Sequence, residues 1–280
     1  MGIAAGTLLV LLGALVLWFS APYSPLRTEF ERDVTELTDR EPSRGGEVYA
    51  PDDFAGLPDA MRRHLELCGY VGAPRSGILM MEYRDVDFRQ STGGPSLVID
   101  YTQYNFAGAA ARLAFIDSGI LGVPFQGYDY YRDGRGGMRG IVGKAVEIFD
   151  QTVPGMDQAA LVTFLAESPF LPEALLREDI ELEQIDDRHV RVTARIGGQE
   201  ATGMFEFGED GLMASFTTES RGMARQDGTI EAHPWTARCG GYERGADGIL
   251  RPTSLTATWH LPDGDFTYFD GEIANAVLLE

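Results

Sequence analysis

Few side chains in this sequence have both the type and the neighbours to do chemistry, and Glu167 leads them. It follows Phe164 and Leu165 and precedes Pro169 and Phe170. A carboxylate in so apolar a setting is expected to be partly buried and to titrate high unless an arginine or backbone amides meet it. It can tether the segment that carries it, to Arg221 or to the strand holding residues 128–131, and that is the favoured reading. It can also be a polar anchor at the base of a ligand cavity. A hydrolase built on Glu167 would need more: an open cleft and a second titratable group within hydrogen-bond reach.

The other candidates are weaker. The glycine-rich run at residues 133–140 lacks the dinucleotide spacing because Arg139 intrudes between Gly136 and Gly140. Gly143-Lys144 lacks both the upstream glycine and the following Ser or Thr of a Walker loop. A hairpin turn explains the run better. Asp129 and Asp133 approach a calcium loop, but Tyr131 and Gly140 stand where ligands are required. Asp186, Asp187 and His189 fall at a turn whose carboxylates point to water, and His233 reads as a strand-edge residue before Pro234-Trp235. Two cysteines and four scattered histidines give no metal spacing, so no metal and no cofactor is expected. No Gly-x-Ser-x-Gly elbow or His-Glu-x-x-His helix occurs.

The elements that must position Glu167 centre on residues 157–176, DQAALVTFLAESPFLPEALL. They read as two short apolar helices meeting at Ser168-Pro169. Before and after this plug the pattern is almost wholly β. Strands are expected at residues 78–88, 97–106, 109–116, 123–131 and 138–150, then at 180–185, 190–196, 201–207, 212–220, 235–242, 253–260 and 266–273. Turn-forming residues separate most of them, with a long connection at 222–234. Hairpins between sequence neighbours imply an antiparallel sheet, strongly curved at this length. Residues 57–67 form an expected helix with Pro58 near its start, Gly69 as C-cap, and His64 at the edge of its apolar face. The fold class is therefore α+β: a large curved antiparallel β-sheet, a half-barrel closed by a few short helices.

One N-terminal transmembrane helix is expected to precede it. No charged side chain occurs before Arg27, and residues 2–21 are nearly all apolar. About 20 helical residues span ~30 Å, the thickness of a bilayer core, and Trp18 and Tyr23 fall where interfacial aromatics sit. A cleaved signal peptide is the alternative, but the basic leader it requires is missing. The expected organisation is an anchor at 1–23, a linker at 24–53 and the half-barrel domain at 54–280. Arg27, Arg32, Arg40 and Arg44 follow the span with nothing basic before it, which favours a cytoplasmic domain.

A net charge of −20 excludes nucleic acid as a natural partner. The basic residues are 22 arginines and one lysine, Lys144. Cys68 and Cys239 can pair or remain as two buried thiols. On the strand at 123–131, Phe125, Tyr128, Tyr130 and Tyr131 can line a cavity or belong to an ordinary core.

Tyr128-Asp129-Tyr130 with Gly134, Gly136 and Met138, then Phe164-Leu165-Ala166-Glu167 with Phe170-Leu171-Pro172 and Leu175-Leu176, then Pro234-Trp235, resembles an uncharacterised bacterial domain family. The likeness spans residues 57–273, with Phe170 where the family is expected to carry Trp. The family is similar in layout to the periplasmic lipoprotein-carrier fold, a half-barrel closed by helices around an apolar cavity. That resemblance implies hydrophobic ligands, assigns no catalytic residue, and favours an extracytoplasmic domain, against the arginine count. Fold alone does not give function. The leading expectation is a single-pass anchored, non-catalytic protein of the cell membrane that binds a hydrophobic or lipid-like molecule. Its expected site is Phe125, Tyr128, Tyr130, Phe164, Glu167, Phe170 and Trp235. The alternatives are an assembly module that holds a protein partner without any ligand, and a hydrolase using Glu167.

Overall fold

Alternating apolar and polar residues between short turns give strands, and here they give one sheet. The computed structural model describes residues 2–120, 122–153, 155–224 and 229–279. The first half contributes β1 (Ile78–Arg89), β2 (Ser96–Phe106), β3 (Ala111–Ile120), β4 (Val123–Arg132), β5 (Arg135–Val142) and β6 (Val146–Gln151). The second contributes β7 (Ile180–Gln184), β8 (His189–Ile196), β9 (Gln199–Phe207), β10 (Met213–Ala224), β11 (Ile230–Arg244), β12 (Leu250–Leu261) and β13 (Gly264–Leu279). All pairings are antiparallel, in the order β6-β5-β4-β3-β2-β1-β13-β12-β11-β10-β9-β8-β7. The first and last strands meet in the centre, Ile78 opposite Leu279 and Phe88 opposite Phe269. Register shifts that place an extra residue in β1, β6, β10 and β13 mark bulges, which bend strands and deepen twist. The result is a curled half-barrel.

Between the edge strands β6 and β7 runs the apolar plug: α4 (Met156–Glu167), a 3₁₀ turn (Ser168–Phe170) and α5 (Pro172–Leu175). Helix α4 packs on β3, β4 and β5 of one wing and on β9 and β10 of the other. Its low amphipathicity fits this position, because a helix walled on several sides has little need of a polar face. The plug's far end is held by polar contacts. Glu173 is buried between Arg75 (2.8 Å) and Arg44 (2.7 Å), and the Tyr70 hydroxyl donates to Phe170 O (2.9 Å).

Three expectations are corrected. The single strand at 138–150 is two, broken where Gly143 and Lys144 take φ of +61° and +64°. The connection at 222–234 is mostly strand, with β10 reaching Ala224 and β11 starting at Ile230; residues 225–228 of it lie outside the described residues. Residues 24–53 are no linker. Ser24 caps α2 (Pro25–Arg40), its hydroxyl accepting from Arg27 N, with Pro25 in the first turn. Leu26, Phe30 and Leu37 are buried against Phe106, Leu113, Phe115 and Tyr128 on the convex face of the sheet. Arg132 pairs with Asp33 and Glu36 of α2, and Arg139 with Glu29. Helix α3 (Asp59–Cys68) ends at Gly69 in the left-handed region, as expected.

The N-terminal helix α1 (Gly2–Ser20) is long and apolar enough to cross a membrane, and its apolar side chains from Leu8 to Leu17 are exposed. Its end docks on the β5–β6 turn. Trp18 Nε1 donates to Gly143 O (3.0 Å), and the Lys144 ammonium donates to Trp18 O (3.3 Å) and to Ala21 O. The single lysine therefore serves carbonyls that a helix C-terminus leaves without partners.

In the glycine-rich run, Asp133 and Gly134 both have positive φ and form the β4–β5 hairpin turn. Gly136 has a different role. A Cβ there would lie 2.5 Å from Met156 O and 2.6 Å from the Ala160 Cβ, so only glycine lets α4 approach β5. Gly136→Val is therefore expected to destabilise the chain by about 1–3 kcal/mol. Gly93→Ala, which meets open space, should leave the unfolding midpoint unchanged. Chemical unfolding of both variants reads the difference.

Candidate functional site

The curled sheet and the plug do not meet everywhere, and the space between them is hollow. It forms a cavity of about 520 Å³. Helix α4 presents one stripe to it, Met156, Ala159, Thr163, Ala166 and Glu167, at the three- and four-residue spacing of one helix face. Facing that stripe are aromatic side chains of the central strands, among them Tyr83, Tyr101, Trp235, Trp259 and Phe269. Arg89, Gln90 and Ile148 are lining residues that are also exposed, so the cavity opens past them.

Glu167 lies at its polar end, buried. Its Oε2 accepts from Gln103 Nε2 (2.7 Å), Asn105 Nδ2 (2.9 Å) and Arg112 Nε (3.2 Å). Arg112 is itself buried, and donates further to Asp129 (2.8 Å), Gln103 Oε1 (3.1 Å) and the Tyr101 hydroxyl. The plug is thus tied to β2 and β3. Burial raises the Glu167 carboxyl above the ordinary range, and the Arg112 charge and the two amide donors offset this only in part. Its nearest partners are amides and a guanidinium, donors that fix a carboxylate rather than relay its proton. Among the described residues no histidine lines the cavity.

Of the residues expected at the site, the structure brings three to the cavity: Glu167, Phe170 and Trp235. Phe125 and Phe164 are buried in the main core without reaching it. Tyr128 and Tyr130 are misplaced by the expectation. They occupy the convex face, where Tyr128 is buried under α2 and donates to Asp33 (2.9 Å). Strand alternation explains the error: Asp129 and Tyr131 face the interior, so 128 and 130 cannot. Arg221, one expected partner of Glu167, instead donates to Ala159 O (3.2 Å), Thr163 Oγ1 (2.9 Å) and the Tyr268 hydroxyl (3.2 Å). Asp186 closes the β7–β8 turn by accepting from the backbone amides of Arg188 and His189.

Both cysteines are free thiols. Cys239 lines the cavity, and burial pushes its thiol up to about 12, as it does for Cys68, so neither is a ready nucleophile. His64 is not at an edge. It is fully buried, accepts from Met213 N at Nδ1 (3.2 Å), and is lowered to about 4 by desolvation.

A family model described as a family of unknown function, DUF6544, matches residues 47–271. No curated protein matches the sequence. Among solved structures, a domain from Vibrio parahaemolyticus, provisionally described as an outer membrane lipoprotein-sorting protein domain, is similar over 73% of this chain and 87% of its own. The identity is 10% and the TM-score 0.38.

Two predictions follow from these buried ionisable groups. Glu167→Ala leaves two amide donors without their acceptor and Arg112 with Asp129 as its one carboxylate partner, and is expected to cost about 2–4 kcal/mol, whereas Glu167→Gln keeps an acceptor and costs less. Because the folded-state carboxyl titrates above the unfolded one, wild-type stability should also fall as pH rises through the window just above 4.5, a slope that Glu167→Gln removes. His64 acts in the opposite sense. Unfolding lets it gain a proton between about 4 and 6.5, so its contribution is full above 6.5 and declines as pH falls towards 4. The loss is on the order of 3 kcal/mol. Urea midpoints across pH 4–7 for wild type, Glu167→Gln and His64→Gln separate the two slopes.

Proposed function

The chain belongs to the DUF6544 family of unknown function, and from that premise we propose that it is a membrane-anchored, non-catalytic binding protein that holds a hydrophobic, lipid-like molecule between sheet and plug. The hollow between them carries this reading. At about 520 Å³ it falls within the range of small-molecule sites, roughly 300–1,000 Å³. Its walls are chiefly aromatic and aliphatic, with a few convergent polar groups, the composition expected of such sites.

The position of the opening supports the same reading. Arg89 and Gln90 stand where β1 turns towards β2, and Ile148 lies just past the β5–β6 turn. By antiparallel alternation these turns share one end of the sheet, and α1 docks on the second of them through Trp18 and Lys144. A helix able to span a bilayer thus leaves the domain at the end where the cavity opens. Val98, Val146 and Ile148 are exposed on the strands of that end. An acidic exterior is repelled by anionic headgroups, so α1 supplies the attachment and sets the opening close to the membrane surface.

Full-length chain transferred from membranes into peptidiscs, then examined by lipid extraction and native mass spectrometry, is expected to carry a bound hydrophobic molecule. It should also bind the neutral probe N-phenyl-1-naphthylamine. Ala237→Phe, placed between cavity-lining Trp235 and Cys239, should weaken probe binding by roughly tenfold or more while the protein stays folded. A chain that purifies empty and gives no probe response overturns the proposal.

A further inference from the structure

Three arginines line the cavity; Arg89 is exposed at its mouth and pairs with Asp87, and the two inside differ in what already satisfies them. Arg112 is bound by Glu167 and Asp129, the carboxylates that line the same cavity. Arg221 has no carboxylate partner among the described residues. Its recorded acceptors are the Ala159 carbonyl and the Thr163 and Tyr268 hydroxyls, all neutral. A guanidinium carries five N–H donors, so these three bonds leave two without an acceptor among the described residues. A cation without a counter-ion on the wall of an apolar cavity is costly, and the cost is relieved when an anion arrives.

The fold makes a specific arrangement to bring Arg221 there. On β10, Phe216 and Thr218 are buried on one face, and Thr218 stands opposite Trp235 of β11. Between Thr218 and Arg221 the register slips by one residue, so that Arg221 stands opposite His233. The extra residue lets Arg221, three positions after Thr218, keep to the face of Trp235, and it lines the cavity with Met223. Bulges commonly re-aim a side chain in this way. The guanidinium then lies over two indoles, 4.7 Å from the Trp235 ring centroid and 4.9 Å from that of Trp259. Trp235 Nε1 donates to the same Tyr268 hydroxyl that Arg221 reaches. Contact with both rings and the three hydrogen bonds hold the guanidinium in place, and a planar fork so held suits a carboxylate or phosphate.

We propose that the cavity takes a single-chain amphiphile with an anionic headgroup, carboxylate or phosphate, and that Arg221 receives the headgroup while the chain lies along the apolar walls. This rests on the binding role proposed above and specifies its ligand class. The test is titration of the full-length chain in peptidiscs at pH 8 with dodecanoate, dodecyl phosphate and dodecanol. Tryptophan fluorescence reports binding, since two of the three tryptophans lie beneath Arg221. At least one anion is expected to bind roughly tenfold or more tighter than the alcohol. The tighter of the two anions identifies the headgroup. Arg221→Gln should bring all three within about threefold of each other while N-phenyl-1-naphthylamine still binds, and Arg221→Lys should keep part of the preference. Equal binding of dodecanol and both anions by wild type, read without any variant, overturns the proposal and leaves the cavity reading standing. So does an anion preference that survives in Arg221→Gln. Failure of all three chains and of the neutral probe removes both readings together.

Discussion

The pairing of the first strand with the last, β1 with β13, is the constraint from which the rest of the architecture follows. Each half of the chain is a simple meander whose strands pair with sequence neighbours. Joining the halves through their outermost strands in sequence puts the termini of the β region at the centre of the sheet and its midpoint at both edges. The chain must then cross from β6 to β7, the full width of the sheet. Bulges curl the sheet, so the short way across runs over the concave face, and the crossing segment is enclosed. A polar connection there would bury backbone groups without partners. Residues 156–175 answer this largely with helix, which satisfies its own backbone, and with side chains that are mostly apolar.

This logic explains what was legible in the sequence. Hairpin turns and alternation marked twelve expected strand segments, and the run at 157–176 stood out as an apolar helical segment within a β protein. Glu167 was conspicuous for the same reason. Signals for α2 were present too, in Ser24-Pro25 and in the spacing of Leu26, Phe30 and Leu37. They were masked by the charged residues between them, which turn out to pair with Arg132 and Arg139 of the sheet. The cavity lining was less legible. Tyr128 and Tyr130 were grouped with Phe125 and Tyr131 by composition, although strand parity alone separates them. Arg221 and Trp259 could not have been placed without the register. A one-residue bulge inverts which side chains on β10 face inward, and nothing in the local composition announces it.

The polar groups inside the shell divide by what they bind. Glu173 is held by Arg44 and Arg75, Glu167 by Arg112 and two amides, and Asp157 accepts from Gly136 N (2.8 Å), so all three acids of the plug are tied to other elements. Buried ion pairs of this kind add little net stability compared with apolar substitutes, yet they penalise any arrangement that separates them. Their role here is positional. They fix α4 at its two ends, Asp157 on β5 and Glu167 near β2 and β3, and fix α5 near the loop between α3 and β1 that carries Arg75. Between those ties the helix stands off the central strands, and the aromatic side chains of β1, β11, β12 and β13 face a gap instead of a close-packed layer.

That gap cannot be explained as a packing defect of the usual size. An empty apolar cavity costs about 24 cal/mol per Å³, so one of about 520 Å³ would cost on the order of 12 kcal/mol if it stayed dry and enclosed. That is comparable to the whole stability of an ordinary domain, about 5–15 kcal/mol. The space must therefore be filled. Water can occupy the polar end, where Glu167, Arg112, Gln103 and Tyr101 offer bonds, and it can enter past Arg89 and Gln90. Against the side chains of Phe269, Leu255 and Ala257 water finds no such partners. A solute with a polar head for Arg221 and a long apolar body fills the space that water does not. The plug's tethers, which hold the helix away from the sheet before any such solute arrives, meet in the folded protein a cost that binding would otherwise have to meet.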